Sequence, residues 1–177
     1  MRVIGGKHKK RVLKEFDGNA IRPTSDRGRE ALFNVLQFSI FDSVFLDGFA
    51  GSGGVGIEAI SRGAKTVIFT DSSKESVKLV NDNLKLVKEN ATVILTDVCN
   101  FLQTTDLKFD FIFLDPPYVS EKGVEALNII SKRKLLNSGG YAIYEHSAGK
   151  TIEIDGLVIE KTKKYGICQF DFYKENL

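Results

Sequence analysis

Three features of the 177-residue sequence predict a doubly wound α/β domain. Short apolar runs alternate regularly with stretches of helical periodicity, the order that lays a parallel sheet between two layers of helices. Phe109–Leu114 is almost unbroken in its apolar character, as in a strand buried on both faces. The last two strand-like runs, Leu157–Lys161 and Ile167–Tyr173, flank Gly166 and read as an antiparallel edge.

The elements follow in order. Ser25 or Asp26 can cap a helix running to about Ser39, with Ala31, Leu32, Val35 and Leu36 on its apolar face. Val44–Leu46 is a short strand leading into the glycine-rich Gly48–Gly56, then a helix through Ile60 that stops at Gly63. Thr66–Thr70 is a strand, and Lys74–Val87 a helix that turns Val77, Val80 and Leu84 inward. Ala91–Leu95 is a strand, with a short helix near Cys99–Thr104. After the apolar strand come a helix at Val124–Ser131 and a strand at Tyr141–Tyr144. With no repeat and no Pro/Gly/Ser linker, residues 1–177 read as one domain: a basic arm over 1–24, read as a hairpin, and a core over 25–177.

Composition narrows the class. Apolar residues make up 42% and charged residues 27%, ordinary values for a globular chain. No run approaches the roughly 18–20 apolar residues of a spanning helix. The opening MRVIGGKHKKRVLKEF carries charge where a secretory leader needs an apolar core, so a cytoplasmic location is expected. Cys99 and Cys168 are too few for a disulfide framework or a four-ligand zinc site and read as small buried hydrophobes. His8 and His146 lack companion ligands at metal-binding spacing, so no metal is expected.

Charge is unevenly distributed. Residues 1–30 hold nine Lys/Arg and four Asp/Glu, a balance of +5, leaving −3 for the remainder of a chain of net +2. Arg2, Lys7, Lys9, Lys10, Arg11 and Lys14 all precede the first acid, Glu15. A basic arm on a slightly acidic body suits a polyanion such as nucleic acid. A merely solvated terminus has the same composition.

Gly51-Ser52-Gly53-Gly54-Val55-Gly56 lies between a strand and a helix, where glycines bring backbone close to a ligand. Asp71, ending the next strand, suits ribose hydroxyls, a feature also compatible with NAD. Asp47, just before the loop, would repel a pyrophosphate but suit the ammonium of an amino-acid moiety. Asp97, at the end of the third strand, can accept from an adenine amino group. Each alone is more often a turn or capping residue. Three acids at successive strand ends favour S-adenosyl-L-methionine over NAD.

Asp115-Pro116-Pro117-Tyr118 follows the fourth strand. An exocyclic nucleobase amine is a weak nucleophile because its lone pair is delocalised into the ring. The Asp115 carboxylate and the Pro116 carbonyl can accept its two N–H groups, while the prolines add no competing donors. Tyr118 offers a flat face for an extruded base, worth about 1–3 kcal/mol. The plain alternative is a Pro-Pro turn with a packed tyrosine.

Asp47–Gly53 together with Asp115–Tyr118 resembles the class I S-adenosylmethionine-dependent amino-methyltransferases, with their seven-stranded Rossmann-like sheet. Within that class the whole chain resembles the RsmD family, the guanine-N2 methyltransferases of bacterial small-subunit ribosomal RNA. The matching segments are Arg2-Val3-Ile4-Gly5-Gly6, Arg22-Pro23-Thr24-Ser25-Asp26-Arg27 with Arg29-Glu30, Phe49-Ala50-Gly51-Ser52-Gly53, and Asp115–Tyr118. Gly48 and Gly28 depart from the family's usual larger residues. The resemblance implies methyl transfer to a guanine 2-amino group of 16S ribosomal RNA, within an assembled or partly assembled subunit, with no membrane and no obligate protein partner. It implies that Asp47, Phe49, Ala50, Gly51, Ser52 and Gly53 hold the methionine part, Asp71 and Ser72 the ribose, and Asp97 and Val98 the adenine. Thr24, Asp26 and Arg27 would lie beside the cofactor and target, and the arm with Arg22 would meet RNA. Rival classes are an adenine-N6 methyltransferase, a non-catalytic RNA-binding assembly factor and an NAD oxidoreductase. The first lacks a target-recognition domain, and the last an acid–base partner for hydride transfer.

Overall fold

The computed structural model describes residues 1–18 and 24–177. In chain order it contains α1 (Asp26–Leu36), β1 (Val44–Asp47), α2 (Gly54–Ser61), β2 (Thr66–Asp71), α3 (Lys74–Val87), β3 (Thr92–Leu95), α4 (Val98–Thr104), β4 (Phe109–Leu114), α5 (Lys122–Arg133), β5 (Leu136–Ser147), β6 (Leu157–Tyr165) and β7 (Cys168–Glu175). The seven strands form one sheet in the order β3-β2-β1-β4-β5-β7-β6. The first five run parallel, and β7 is antiparallel to both β5 and β6. The doubly wound sheet with an antiparallel C-terminal edge is therefore the observed fold.

Strand alternation divides the core. Phe45, Phe69, Phe111, Phe113, Phe170 and Phe172 face α1, α2 and α3, while Leu46, Ile68, Ile112, Leu114 and Ala142 face α4 and α5. Two positions require glycine here. Gly53 caps α2 at φ 82°, and a Cβ on Gly56 would sit 2.2 Å from Phe69 Cε1, so only glycine lets α2 lie this close to the sheet.

Several expectations change: α1 ends at Leu36 instead of about Ser39, and β6 runs on to Tyr165 instead of stopping at Lys161. β5 begins at Leu136 instead of Tyr141, because Phe109 pairs with Leu136 while Phe111 pairs with Tyr141. The polar Asn137-Ser138-Gly139-Gly140 forms an irregularity within a continuing strand, although its side chains interrupt the apolar pattern. Cys99 is buried, but Cys168 is only half-buried because it starts β7 at the turn end of the terminal hairpin, paired with Tyr165. Among the described residues no helix is long and apolar enough to cross a membrane, and no cluster of three or more His, Cys, Asp and Glu is placed to hold a metal.

The N-terminal segment folds back on itself around a 3-10 turn at Gly6–His8, with an antiparallel bridge between Arg2 and Val12. Val3 and Leu13 enter the core on the α1–α3 side. Backbone anchoring completes the attachment. Fully buried Glu58 of α2 accepts the Ile4 and Gly5 N–H groups at 2.9 and 2.8 Å, and Asn83 of α3 pairs with both backbone groups of Lys14. Glu58 is balanced by Arg62 at 2.8 Å and by fully buried Arg29 at 3.6 Å; Arg29 also reaches the Arg2 carbonyl and Asp26.

Glu58→Ala would leave the buried Arg29 guanidinium with Asp26 as its one acid partner among the described residues and free two arm N–H groups. We expect a loss of about 3–5 kcal/mol in chemical denaturation, together with faster tryptic cleavage among Lys7–Arg11. Unchanged cleavage would mean that burial of Val3 and Leu13, with the Asn83 bonds to Lys14, fixes the arm without Glu58.

Candidate active site

The carboxyl ends of the parallel strands carry the candidate residues. β1 lies between β2 and β4, the point at which the winding reverses and where open α/β sheets form a crevice. Asp47 ends β1, Asp71 ends β2, Asp97 lies two residues beyond β3, and Asp115 directly follows β4. Only tertiary pairing brings these four to one edge.

Asp47 is 1% exposed, and its Oδ2 accepts the Gly56 N–H at 2.9 Å, one of the donors left free in the first turn of α2. Burial pushes its carboxyl from 3.8 up to about 7, against the Gly56 bond, and the neighbouring Asp71 raises it further. Asp71 shapes the loop: its two oxygens accept the Gly51 and Ser73 N–H groups, each at 2.9 Å. Ala50 donates to the Thr70 carbonyl, and Asn83 to the Ser52 carbonyl, so the loop is held from β2 and α3. Phe49 is half-buried, Ala50, Ser52 and Gly53 are buried, and Ser72 is exposed beside Asp71.

Asp97 caps α4, with Oδ1 accepting the Cys99 N–H at 2.8 Å and Oδ2 paired with Lys122. Burial alone would raise its carboxyl, but the bonds from Lys122 and Cys99 outweigh it and leave the group below its usual range. Val98 is buried behind it, and a Cβ on Gly48 would approach the Val98 and Leu114 side chains to 3.0 Å, which accounts for the glycine there.

Asp115 opens the Pro-Pro turn, in which the Ser120 N–H closes onto the Pro117 carbonyl at 2.9 Å. Pro116 is half-buried, Pro117 exposed, and Tyr118 74% exposed, with its ring presented to solvent instead of packed. One residue beyond the Leu114–Tyr144 pair, Asp115 stands level with Glu145 of β5, a residue absent from the expected site. Glu145 is 8% exposed. The Thr24 hydroxyl lies 3.2 Å from Glu145 Oε2 and 3.5 Å from Asp115 Oδ2, and the Tyr165 hydroxyl donates to Glu145 Oε1. Loss of water raises the Asp115 carboxyl well above its ordinary value, with the charges of Glu145 and Asp47 adding to the rise against Thr24. Glu145 is also raised, by burial, against the bonds from Tyr165 and Thr24. Tyr165 stacks on Phe170 at 4.8 Å, and a Cβ on Gly28 would come within 2.7 Å of its ring. Gly28 is therefore the clearance that lets Tyr165 reach Glu145.

Thr24 thus joins the Asp115 end of the site, whereas Asp26 and Arg27 do not. They line a groove of about 210 Å³ with Arg2, Lys9, Lys10 and Glu30, and Asp26 pairs with Arg29 at 2.6 Å. Of the arm cations, Lys7 pairs with Glu89 and Lys14 with Asp82, while Arg2, Lys9, Lys10 and Arg11 are exposed. Arg22 lies outside the described residues. His146 bonds Asp171 at 2.6 Å and stacks on Tyr144, as a strand-end polar residue.

The donor set fits a cationic ligand. Among the described residues no Lys, Arg or His is paired with Asp47, Asp115 or Glu145, so the edge has surplus negative charge beside an open glycine loop. A sulfonium and an ammonium suit that surplus; a pyrophosphate does not.

The family described as conserved hypothetical protein 95 matches residues 1–174. The chain is 35% identical over 182 residues to a putative rRNA methyltransferase, YlbH, of Bacillus subtilis, covering 99% of each. It is 34% identical over 180 residues to the ribosomal RNA small subunit methyltransferase D of Haemophilus influenzae, covering 98% of this chain and 93% of that one. The solved structure of the putative methyltransferase yhhF from Escherichia coli superposes with a TM-score of 0.88 at 30% identity, covering 99% and 97% of the two chains.

A raised acid holds its proton more tightly in the folded chain than in the unfolded one. The Asp47 contribution to stability is therefore complete below about pH 4 and disappears as pH rises through about 7. Asp47→Asn should flatten that decline, the two proteins diverging by up to about 4 kcal/mol by pH 8. Urea unfolding between about pH 4 and 8 measures it; parallel curves would show that the Asp47 proton is not held.

Proposed function

The chain belongs to the conserved hypothetical protein 95 family, the RsmD family, and on that premise we propose that it methylates the exocyclic 2-amino group of a guanosine in small-subunit ribosomal RNA. The observation that carries the reading is Asp115 opening a Pro-Pro turn beside an edge of uncompensated carboxylates, with the Tyr118 ring exposed next to it. The names of the relatives support the ribosomal RNA substrate; the 2-amino position rests on the resemblance of the arm and of Arg22–Glu30.

S-adenosylmethionine supplies an electrophilic methyl group when bound. The glycine loop, Asp47 and Asp71 hold it, with Phe49 and Ser72 flanking and Asp97 with Val98 at the adenine end. Asp97 serves there through the carboxylate that caps α4, so an adenine amine shares it with Lys122. The Asp115 carboxylate and the Pro116 carbonyl accept the two N–H groups of the target amine and orient its lone pair. The Tyr118 ring stacks on the extruded base and displaces water from one face. Because the methyl donor is already activated, the protein has only to position the reactants and exclude water, with no covalent enzyme intermediate. Lys9, Lys10, Arg11 and Arg2 meet phosphates and set the register, carrying no sequence information themselves. The cytoplasm and an assembled or partly assembled small subunit are the setting this reading implies.

Asp115→Ala should abolish transfer to subunits lacking the modification while leaving cofactor affinity within a few-fold. Asp71→Ala should instead weaken cofactor binding by about 1–3 kcal/mol. Calorimetry and mass-spectrometric mapping of the methylated nucleoside check both. Normal turnover by Asp115→Ala, or methylation at adenine, would refute the assignment.

For the arm, replacing Lys7, Lys9, Lys10 and Arg11 with Ala should weaken RNA binding without changing cofactor affinity. Each phosphate interaction removed should reduce the slope of log affinity against log salt by about 0.7–0.9. Lys7 must give up Glu89 to take part, so three of the four are expected to dominate. An unchanged slope would return the arm to a solvated terminus.

A further inference from the structure

Glu145 has no part in the acceptor geometry just described, yet it is buried beside Asp115 and linked to it by one hydroxyl. Thr24 Oγ1 has a single hydrogen and two carboxylates within reach, so it can donate to only one of them. With both ionised, the second faces the oxygen lone pairs of Thr24. With one proton added, every group is satisfied: a Glu145 hydroxyl donates to Thr24, whose own hydrogen points to Asp115. Among the described residues the other titratable groups around the pair are Asp47 of β1, Tyr144 of β5 and Tyr165 of β6, none of them a cation. Tyr165 donates to Glu145, and Gly28 is the clearance that admits it, so three separate segments converge on this carboxyl.

We propose that Glu145 is the positioning residue of a carboxyl pair with Asp115: the pair holds one proton while the site lacks a cation and releases it when a cationic cofactor binds. The inference rests on the methyl-transfer reading and deepens it. Release leaves Asp115 as a pure acceptor for the target amine. As the amine nitrogen's lone pair forms the bond to the methyl carbon, the sulfur–carbon bond breaks with its electron pair left on sulfur, the thioether departs neutral, and the nitrogen must lose a proton. That N–H bond breaks with its electron pair left on nitrogen, and the proton passes to the Asp115 carboxylate. Thr24 Oγ1 can then take it while giving its own hydrogen to Glu145 Oε2. The pair regains one proton per turnover, the same number it sheds when the next cofactor binds. Two like charges, Glu145 buried and Asp115 half-buried, bridged by one hydroxyl are a setting in which a proton belongs to the pair and not to either residue.

The test compares two ligands that differ by one methyl group and one charge. S-adenosylmethionine and S-adenosylhomocysteine are titrated calorimetrically into the full chain at pH 8, in buffers of different ionisation enthalpy. Both ligands carry the ammonium that would act on Asp47, so any contribution from Asp47 cancels in the difference. We expect S-adenosylmethionine to release more protons than S-adenosylhomocysteine, by an amount approaching ~1 per site. Glu145→Gln keeps a hydrogen-bonding side chain but cannot hold the proton, so the difference should vanish in it while both ligands still bind. Tyr165→Phe removes the packing partner's hydroxyl and should leave the difference in place. Equal proton release by the two ligands in the unmodified protein, or an undiminished difference in Glu145→Gln, would overturn the role given to Glu145. Absence of binding by either ligand would instead overturn the methyl-transfer reading, and this inference with it.

Discussion

Acidic groups gathered at the carboxyl edge of a parallel sheet, with Lys122 on Asp97 the one cation paired to them among the described residues, are the constraint around which this molecule is organised. A buried carboxylate is costly unless hydrogen bonds or an opposite charge compensate it. Backbone donors supply most of that compensation. The first turn of α2 serves Asp47, the glycine loop and Ser73 serve Asp71, and the first turn of α4 serves Asp97. These bonds position the acids without neutralising them. Only Asp97 also receives a lysine, and it alone falls below its ordinary range, while Asp47, Asp115 and Glu145 are all raised. A site kept short of positive charge is suited to a ligand that brings its own.

The contrast with Glu58 shows that the chain can complete a buried ion network where the role is structural. Glu58 meets Arg62, Arg29 and two backbone N–H groups, and the result ties the arm to α2. Arg29 lies in the same helix as Gly28, whose clearance admits Tyr165 to Glu145. Helix α1 therefore joins the ion-paired anchor of the arm to the acids of the site. A segment that touches the core at Leu32, Phe33 and Leu36 thus also sets the position of Thr24, immediately before its Ser25 cap.

The two departures from the family pattern have physical reasons of the same kind. Gly48 lets Val98 and Leu114 close behind the cofactor loop, and Gly28 vacates the volume occupied by the Tyr165 ring. An exposed helix position would gain up to about 1 kcal/mol from replacing glycine, but Gly28 is buried against a stacked aromatic ring, and the ring takes precedence.

Much of the fold was legible in the sequence because local signals and tertiary packing agree. Lys74–Val87 and Phe109–Leu114 have the bounds read from periodicity, and the alternation of elements foretold the parallel sheet and its antiparallel edge. The start of β5 was not legible, since the pairing of Leu136 with Phe109 is separated from that of Tyr141 with Phe111 by the polar irregularity at Asn137–Gly140, which interrupts the side-chain pattern. Four acids at strand ends were visible by one rule, and the same rule applied to Tyr141–Tyr144 would have flagged Glu145 as the fifth. What no rule along the chain provides is that Glu145 and Asp115 stand level across neighbouring strands, that Thr24 bridges them, and that Asp26 and Arg27 turn toward the arm. Those facts depend on strand register and on the direction of one helix, which are decided by the packing of residues far apart in the sequence. The residue types, and with them the chemistry, were set by the sequence alone; which of them share a proton, a hydrogen bond or a charge was decided only when the sheet brought their strand ends together.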